Sequence, residues 1–177
     1  MSTRQVARCG VCIALLAMSA WVTVPLGPVP FTLQTFVLAL LPQVMRTRDA
    51  LFTVVVYLLL GAVGVPVFSG FQAGLGVLLG PTGGYLMGFA AGMPVAGAVM
   101  RANVLPRRAR GVAAGVALLA VSYVLGTVQL MNVYALDAPA ALAVAVVPFV
   151  VPDAAKVALS VGVAERVNRA LGAATGR

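Results

Sequence analysis

Residues 138–164 read APAALAVAVVPFVVPDAAKVALSVGVA, an apolar run long enough to span a membrane but interrupted by two charges, Asp153 and Lys156. Lys156 is the only lysine in the chain and stands three residues from the aspartate, so both fall on one helical face. Each charge costs about 2.5–3.5 kcal/mol at the centre of a membrane helix. Two opposite charges where leucine would serve point either to an ion pair that locks helices together or to a pocket for a ligand with polar and anionic ends. Intramembrane ionisable groups usually mark sites and pathways, which favours the pocket. Pro148 and Pro152 each remove a backbone donor from this run, so a kink is expected beside Asp153, as in the broken helices from which transporters build binding sites.

The rest of the composition agrees with a membrane setting. Of 177 residues, 62% are hydrophobic and 9% charged, which lies outside the range of soluble domains. The length suits a single membrane domain, residues 1–177, with no room for a soluble enzyme domain. The absence of histidine removes most zinc and iron sites and every histidine-activated nucleophile. Cys9 and Cys12 form a C-x-x-C with no other cysteine or histidine to complete a metal site, and read as small hydrophobes in the first apolar segment. There is no G-x-S-x-G, and Ser69 has no evident base, so an enzyme is not expected and no cofactor is implied. There is no G-x-G-x-x-G, and the one lysine follows Ala155, so no Walker A loop exists; ATP-driven work needs another subunit. The net charge of +8 comes without a basic stripe interleaved with aromatics, which argues against nucleic acid.

Topology explains the charge better. Six apolar segments run near Val6–Val24, Thr32–Met45, Ala50–Val63, Gly84–Met100, Gly111–Leu130 and Ala138–Ala164. They predict an all-α integral membrane protein with six transmembrane helices, the second and third short for a bilayer of about 30 Å. Arg4 and Arg8 precede the first segment, and Arg46 and Arg48 separate the second and third. Arg101, Arg107, Arg108 and Arg110 separate the fourth and fifth; Arg166, Arg169 and Arg177 follow the sixth. The alternate loops, residues 25–31, 64–83 and 131–137, hold no arginine or lysine. The positive-inside rule then places both termini in the cytoplasm and those three loops outside. Arg4, Arg8 and the small residues Met18-Ser19-Ala20 also resemble a signal peptide. Gly10-x-x-x-Ala14, with Ala7, Ala17 and Ala20 nearby, favours a retained helix built for close packing.

Two outer stretches are irregular yet apolar: PLGPVPFTLQTF (Pro25–Phe36) and GAVGVPVFSGFQAGLGVLLGPTGGY (Gly61–Tyr85). Such backbone near a membrane is buried in protein or lines a cavity. Gly74, Gly76, Gly83 and Gly84 are expected to provide tight turns and close approach to a ligand, with Phe68, Phe71 and Tyr85 as aromatic walls.

The blocks GPVPFTLQTF (Gly27–Phe36), GAVGVPVF (Gly61–Phe68), GPTGGYLMGF (Gly80–Phe89) and D-x-x-K (Asp153–Lys156) together closely resemble the BioY family, the biotin-binding substrate components of energy-coupling factor (ECF) transporters. The resemblance covers nearly the whole chain. It implies a multi-pass protein of the cytoplasmic membrane, with an outward biotin pocket capped by loops. It also implies a transmembrane coupling subunit and ABC-type ATPases as partners. By resemblance, Asp153 and Lys156 belong to the biotin site, Tyr85 and Gln34 lie near it, and Gly10 and Ala14 fall on the surface that docks the coupling subunit. The chemistry fits: an ionised Asp153 accepts from the ureido N–H groups, and Lys156 meets either the ureido oxygen or the valerate carboxylate. Phe68, Phe71 and Tyr85 would enclose the apolar ring and chain. The residues by themselves also admit a substrate component for another vitamin, or a structural membrane subunit with an intramembrane Asp–Lys pair.

Overall fold

The computed structural model describes residues 2–25 and 27–174; Leu26 of the 25–31 stretch and Arg177 of the basic C-terminal group lie outside them. The chain forms α1 (Thr3–Trp21), a hairpin of β1 (Thr23–Val24) and β2 (Phe31–Thr32), α2 (Gln34–Val44), α3 (Thr47–Ala62), α4 (Leu75–Leu79), α5 (Gly83–Arg101), α6 (Arg107–Tyr134), α7 (Ala138–Ala145) and α8 (Val147–Ala174). Among the described residues three helices, Gly83–Arg101, Arg107–Tyr134 and Val147–Gly172, are long and apolar enough to cross a membrane. α2 packs chiefly on α8, α1 on α3, and α5 on α6. Leu16, Leu38, Leu41, Tyr57, Phe68, Met93, Leu118 and Leu130 are fully buried between them. Val112, Val116, Val124 and Val128 face outward from α6, the surface a bilayer would cover.

The tightest seam, α5 on α6, follows from glycines four residues apart. A Cβ at Gly88 would stand 2.5 Å from the Ser122 Cα, one at Gly92 3.0 Å from the Leu118 carbonyl oxygen, and one at Gly84 would overlap the Leu125 carbonyl. Removing three side chains from one stripe lets the two backbones touch. Gly126 answers from α6, where a Cβ would run into the Tyr85 ring. Gly84 therefore serves helix packing, and Gly83 lies against the Leu78 carbonyl and the Gln129 amide, where a Cβ would clash. Gly74 does meet the turn expectation: at φ +94° it starts α4.

The segments expected to be loops carry regular structure. The first is flanked by two strands of two residues each that pair antiparallel, Thr23 opposite Thr32 and Val24 opposite Phe31. Residues 64–83 contain a 3-10 turn at Ser69–Phe71 and α4. Gln129 of α6 holds this segment, its amide donating to the carbonyls of Leu78 (3.0 Å) and Gly80 (2.6 Å). The predicted loop 131–137 is mostly helix, because α6 continues to Tyr134. Ala135 then turns the chain at φ 52°, and Asp137 caps α7 by accepting from the Ala140 amide at 2.9 Å.

The sixth segment is two helices, not one. Val146 (φ −126°, ψ −53°) separates α7 from α8. Pro148 explains the break: having no N–H to give residue 144, it suits the first turn of a new helix rather than the interior of a continuous one. Pro152 stays within α8, so the break lies at Val146 and not beside Asp153. The amides of Phe149 and Val150 both bond the Val146 carbonyl, at 2.9 and 3.1 Å. The Ala145 carbonyl instead accepts the buried Tyr85 hydroxyl at 2.9 Å.

Tyr85→Phe should therefore leave a buried carbonyl unpaired and cost about 1–3 kcal/mol, read as a lower melting temperature in detergent. In a Pro148→Ala background α7 and α8 can join and the Phe149 amide can reach Ala145, so the same change should cost less. Equal losses in both backgrounds would refute the brace.

Candidate functional site

The two charges of α8 meet at its inner face. Lys156 Nζ lies 2.7 Å from Asp153 Oδ1, with side chains 8% and 4% exposed. Neutral groups from three other elements complete their bonding. The Thr35 hydroxyl of α2 donates to Asp153 Oδ1 at 2.8 Å, and the Tyr123 hydroxyl of α6 donates to Oδ2 at 2.7 Å. Lys156 donates to the Thr32 carbonyl of β2 at 2.6 Å and to the Thr35 hydroxyl at 3.0 Å. With Asp153, these take all three of its N–H donors. The Phe31 ring, 3.7 Å away at its centroid, adds a cation–π contact.

The pair stands at the wall of a pocket on the inner side of α8. Phe68, Tyr85, Leu86, Phe89, Leu119 and Phe149 supply the apolar lining; Thr32, Gln34, Thr35, Ser122 and Tyr123 supply polar atoms. Pro30, Ser69, Val77 and Thr82 line both this pocket and a neighbouring hollow, so the two adjoin between residues 27–30 and the 69–82 segment. Among the described residues the arginines gather at the other end of the bundle, where Arg101 donates to Thr47 (3.0 Å) and Arg108 pairs with Glu165 (2.6 Å).

Of the residues the sequence assigned to a site, Asp153, Lys156, Tyr85, Gln34 and Phe68 line the pocket. Phe71 does not. Gly70 (φ 65°) and Phe71 (φ 60°) turn the chain outward, leaving Phe71 61% exposed and stacked on Trp21 with ring centroids 4.9 Å apart. Gly10 and Ala14 lie on the exposed face of α1, beside Val6, Val11 and Met18 and away from the pocket. Thr32, Thr35, Tyr123, Phe89 and Phe149 escaped the sequence reading. Two had a signal: Thr35 follows Gln34 in the TLQTF block, and Ser122-Tyr123 is a polar pair inside an apolar run. Among the described residues no group of three or more His, Cys, Asp or Glu could hold a metal ion.

Comparison with known proteins points the same way. A family model described as "BioY family" matches residues 1–173. The "Biotin transporter BioY" of Thermotoga maritima is 42% identical over 166 residues, covering 94% of this chain and 96% of that protein. The "Probable biotin transporter BioY" of Pyrococcus horikoshii is 34% identical over 168 residues, covering 95% and 98%. A crystal structure at 2.1 Å of "the S-component for biotin from an ECF-type ABC transporter" superposes with a TM-score of 0.86, covering 96% of this chain and 95% of that one. At 19% identity, that last likeness speaks for the fold.

A buried pair whose partners are all neutral makes a stability prediction. Lys156→Met alone strands the Asp153 carboxylate and should cost about 3–5 kcal/mol. Adding Asp153→Asn should recover most of that loss in a detergent melt. A double variant no more stable than the single one would contradict this electrostatic account.

Proposed function

The chain belongs to the BioY family, and we propose that it binds biotin in this pocket and takes it up across the cytoplasmic membrane as the substrate component of an ECF-type transporter. The observation that carries the reading is the meeting of a buried Asp–Lys pair with an aromatic cavity at the arginine-free end of the bundle. Biotin asks for both surfaces: polar partners for the ureido ring and carboxylate, and apolar walls for the thiolane ring and chain. Asp153 accepts from the ureido N–H groups, while Phe68, Tyr85, Phe89 and Phe149 enclose the apolar part. Lys156 meets the ligand oxygen that reaches it, exchanging one of its present acceptors for the new one.

Residues 1–177 then form one six-span domain: α1, α2, α3, α5, α6 and the α7–α8 pair. α2, with 11 residues, is about 16 Å long, so its ends must be shielded by protein rather than lipid. Both termini are cytoplasmic and the pocket opens outward. The chain is a transport component, not an enzyme. With no phosphate-binding loop of its own, it relies on a transmembrane coupling subunit and ABC-type ATPases. The exposed Gly10-x-x-x-Ala14 stripe of α1 is the docking face for that subunit.

The satisfied Asp153–Lys156 pair also suits a purely structural role, and binding measurements separate the two. Purified wild-type protein should bind biotin in detergent. The doubly neutral Asp153→Asn/Lys156→Met variant should insert normally yet bind roughly ten- to a hundredfold more weakly. Unchanged affinity would remove the pair from the site.

Topology and docking are checked together in a Cys9/Cys12-free protein. A cysteine at Gln72 should react with an impermeant external reagent, and one at Arg107 should not. Gly10→Leu with Ala14→Leu should weaken copurification with the coupling subunit while leaving biotin binding intact. External labelling at Arg107, or normal copurification, would overturn the corresponding assignment.

A further inference from the structure

Asp153 has little acceptor capacity left. Its Oδ1 already takes the Thr35 hydroxyl and the Lys156 ammonium, and its Oδ2 takes the Tyr123 hydroxyl. A carboxylate offers about four acceptor sites, so one remains, on Oδ2. A ureido ring brings two N–H donors. The second needs another acceptor in the same pocket, and Gln34 is the side-chain amide that lines this wall.

Which end of that amide is offered is decided by a residue that does not line the pocket. Tyr57 is fully buried. Its oxygen lies 2.8 Å from the Val67 carbonyl and 2.7 Å from Gln34 Nε2. A carbonyl only accepts, so the single hydroxyl proton goes to Val67 and the tyrosine oxygen accepts from Gln34. A flipped amide would set oxygen against oxygen with no proton between them. The amide oxygen is therefore held on the other side, 3.4 Å from the hydroxyl of Thr32, which also lines the pocket. That contact is long, so Oε1 keeps capacity for a ligand donor.

We propose that Tyr57 is a positioning residue for ligand recognition. It locks the Gln34 amide so that Oε1 is the second acceptor for the ligand's pair of N–H groups, Asp153 Oδ2 being the first. The inference rests on the biotin reading of the pocket and goes beyond it by assigning each donor its acceptor. The Tyr57 ring is held independently, edge-on to Phe68 at 5.6 Å between centroids. Tyr57→Phe therefore removes the hydroxyl and leaves the packing.

The test is a double-mutant cycle on biotin affinity in detergent. Gln34→Met should weaken binding about tenfold and Tyr57→Phe about three- to tenfold, the loss of an ordinary hydrogen bond or of its alignment. The double variant should match Gln34→Met within about twofold, because Tyr57 acts only through Gln34. A hydroxyl that merely braces the Val67 loop would instead lower affinity in both backgrounds, and losses that multiply would overturn the proposal. Unchanged affinity in Gln34→Met would overturn it too, whether or not the Tyr57 variant folds. Wild-type protein that binds no biotin would sink this inference together with the function beneath it, whereas a failed cycle on a binding-competent protein sinks the inference alone.

Discussion

A carboxylate and an ammonium taken out of water are tolerated only when each finds its full set of partners, and the Asp153–Lys156 pair draws those partners from across the fold. Thr35 opens α2, Tyr123 lies midway along α6, and the Thr32 carbonyl belongs to the hairpin. Withdrawing any one of them would leave a buried charge under-bonded, so the requirement holds three elements against α8 at one level. The cavity is what remains between them once those contacts are met. Its polar wall and its helix packing are consequences of one electrostatic demand.

Tyrosine hydroxyls carry the remainder of that bonding. Tyr57, Tyr85 and Tyr123 each donate to an acceptor that regular structure does not serve: the Val67 carbonyl after α3, the Ala145 carbonyl at the α7–α8 break, and Asp153. Each also brings a ring, so one residue type both satisfies a buried polar group and fills apolar space. The Gly84–Gly88–Gly92 stripe makes this possible for two of them. It lets α6 approach α5 closely enough for Tyr85 to sit over Gly126 and for Tyr123 to reach α8. A pocket held in this way is largely formed before ligand arrives, which lowers the ordering cost of binding.

The charged pair was legible because two charges in an apolar run have few explanations, and most of the helices because hydropathy marks them. Phe68, Tyr85 and Gln34 were legible through their motif blocks. What stayed hidden depended on backbone geometry with no strong sequence signal. The break at Val146 rather than at Asp153 depends on which of two prolines falls at a helix start, and both Pro148 and Pro152 were candidates. Phe71 shared the composition of its neighbour Phe68, but two consecutive positive φ angles sent it outward. The Lys156 contacts to Phe31 and Thr32 rest on a hairpin of two-residue strands, too short for any alternation to show. Gly84 read as a ligand-side glycine because a loop motif surrounds it, whereas its spacing from Gly88 and Gly92 places it in a helix seam.

The saturation of Lys156 constrains where binding energy arises. All three of its donors are engaged, so a ligand oxygen that bonds it must replace Thr32, Thr35 or Asp153. Such an exchange swaps one hydrogen bond for another and contributes little net free energy, although a ligand lacking the oxygen gains nothing from displacing it. Affinity must then come mainly from apolar surface. At about 25 cal/mol per Å², each 100 Å² of ligand covered by Phe68, Phe89, Phe149 and Leu119 contributes roughly 2.5 kcal/mol. On the proposed reading the polar wall acts chiefly by exclusion, since a ligand without the matching donors covers the remaining acceptor capacity of Asp153 Oδ2 and Gln34 Oε1 without using it, leaving each with its single present partner, Tyr123 or Thr32. On that reading, labour is divided between an apolar lining that holds the ligand and a nearly saturated polar wall that rejects what does not match it.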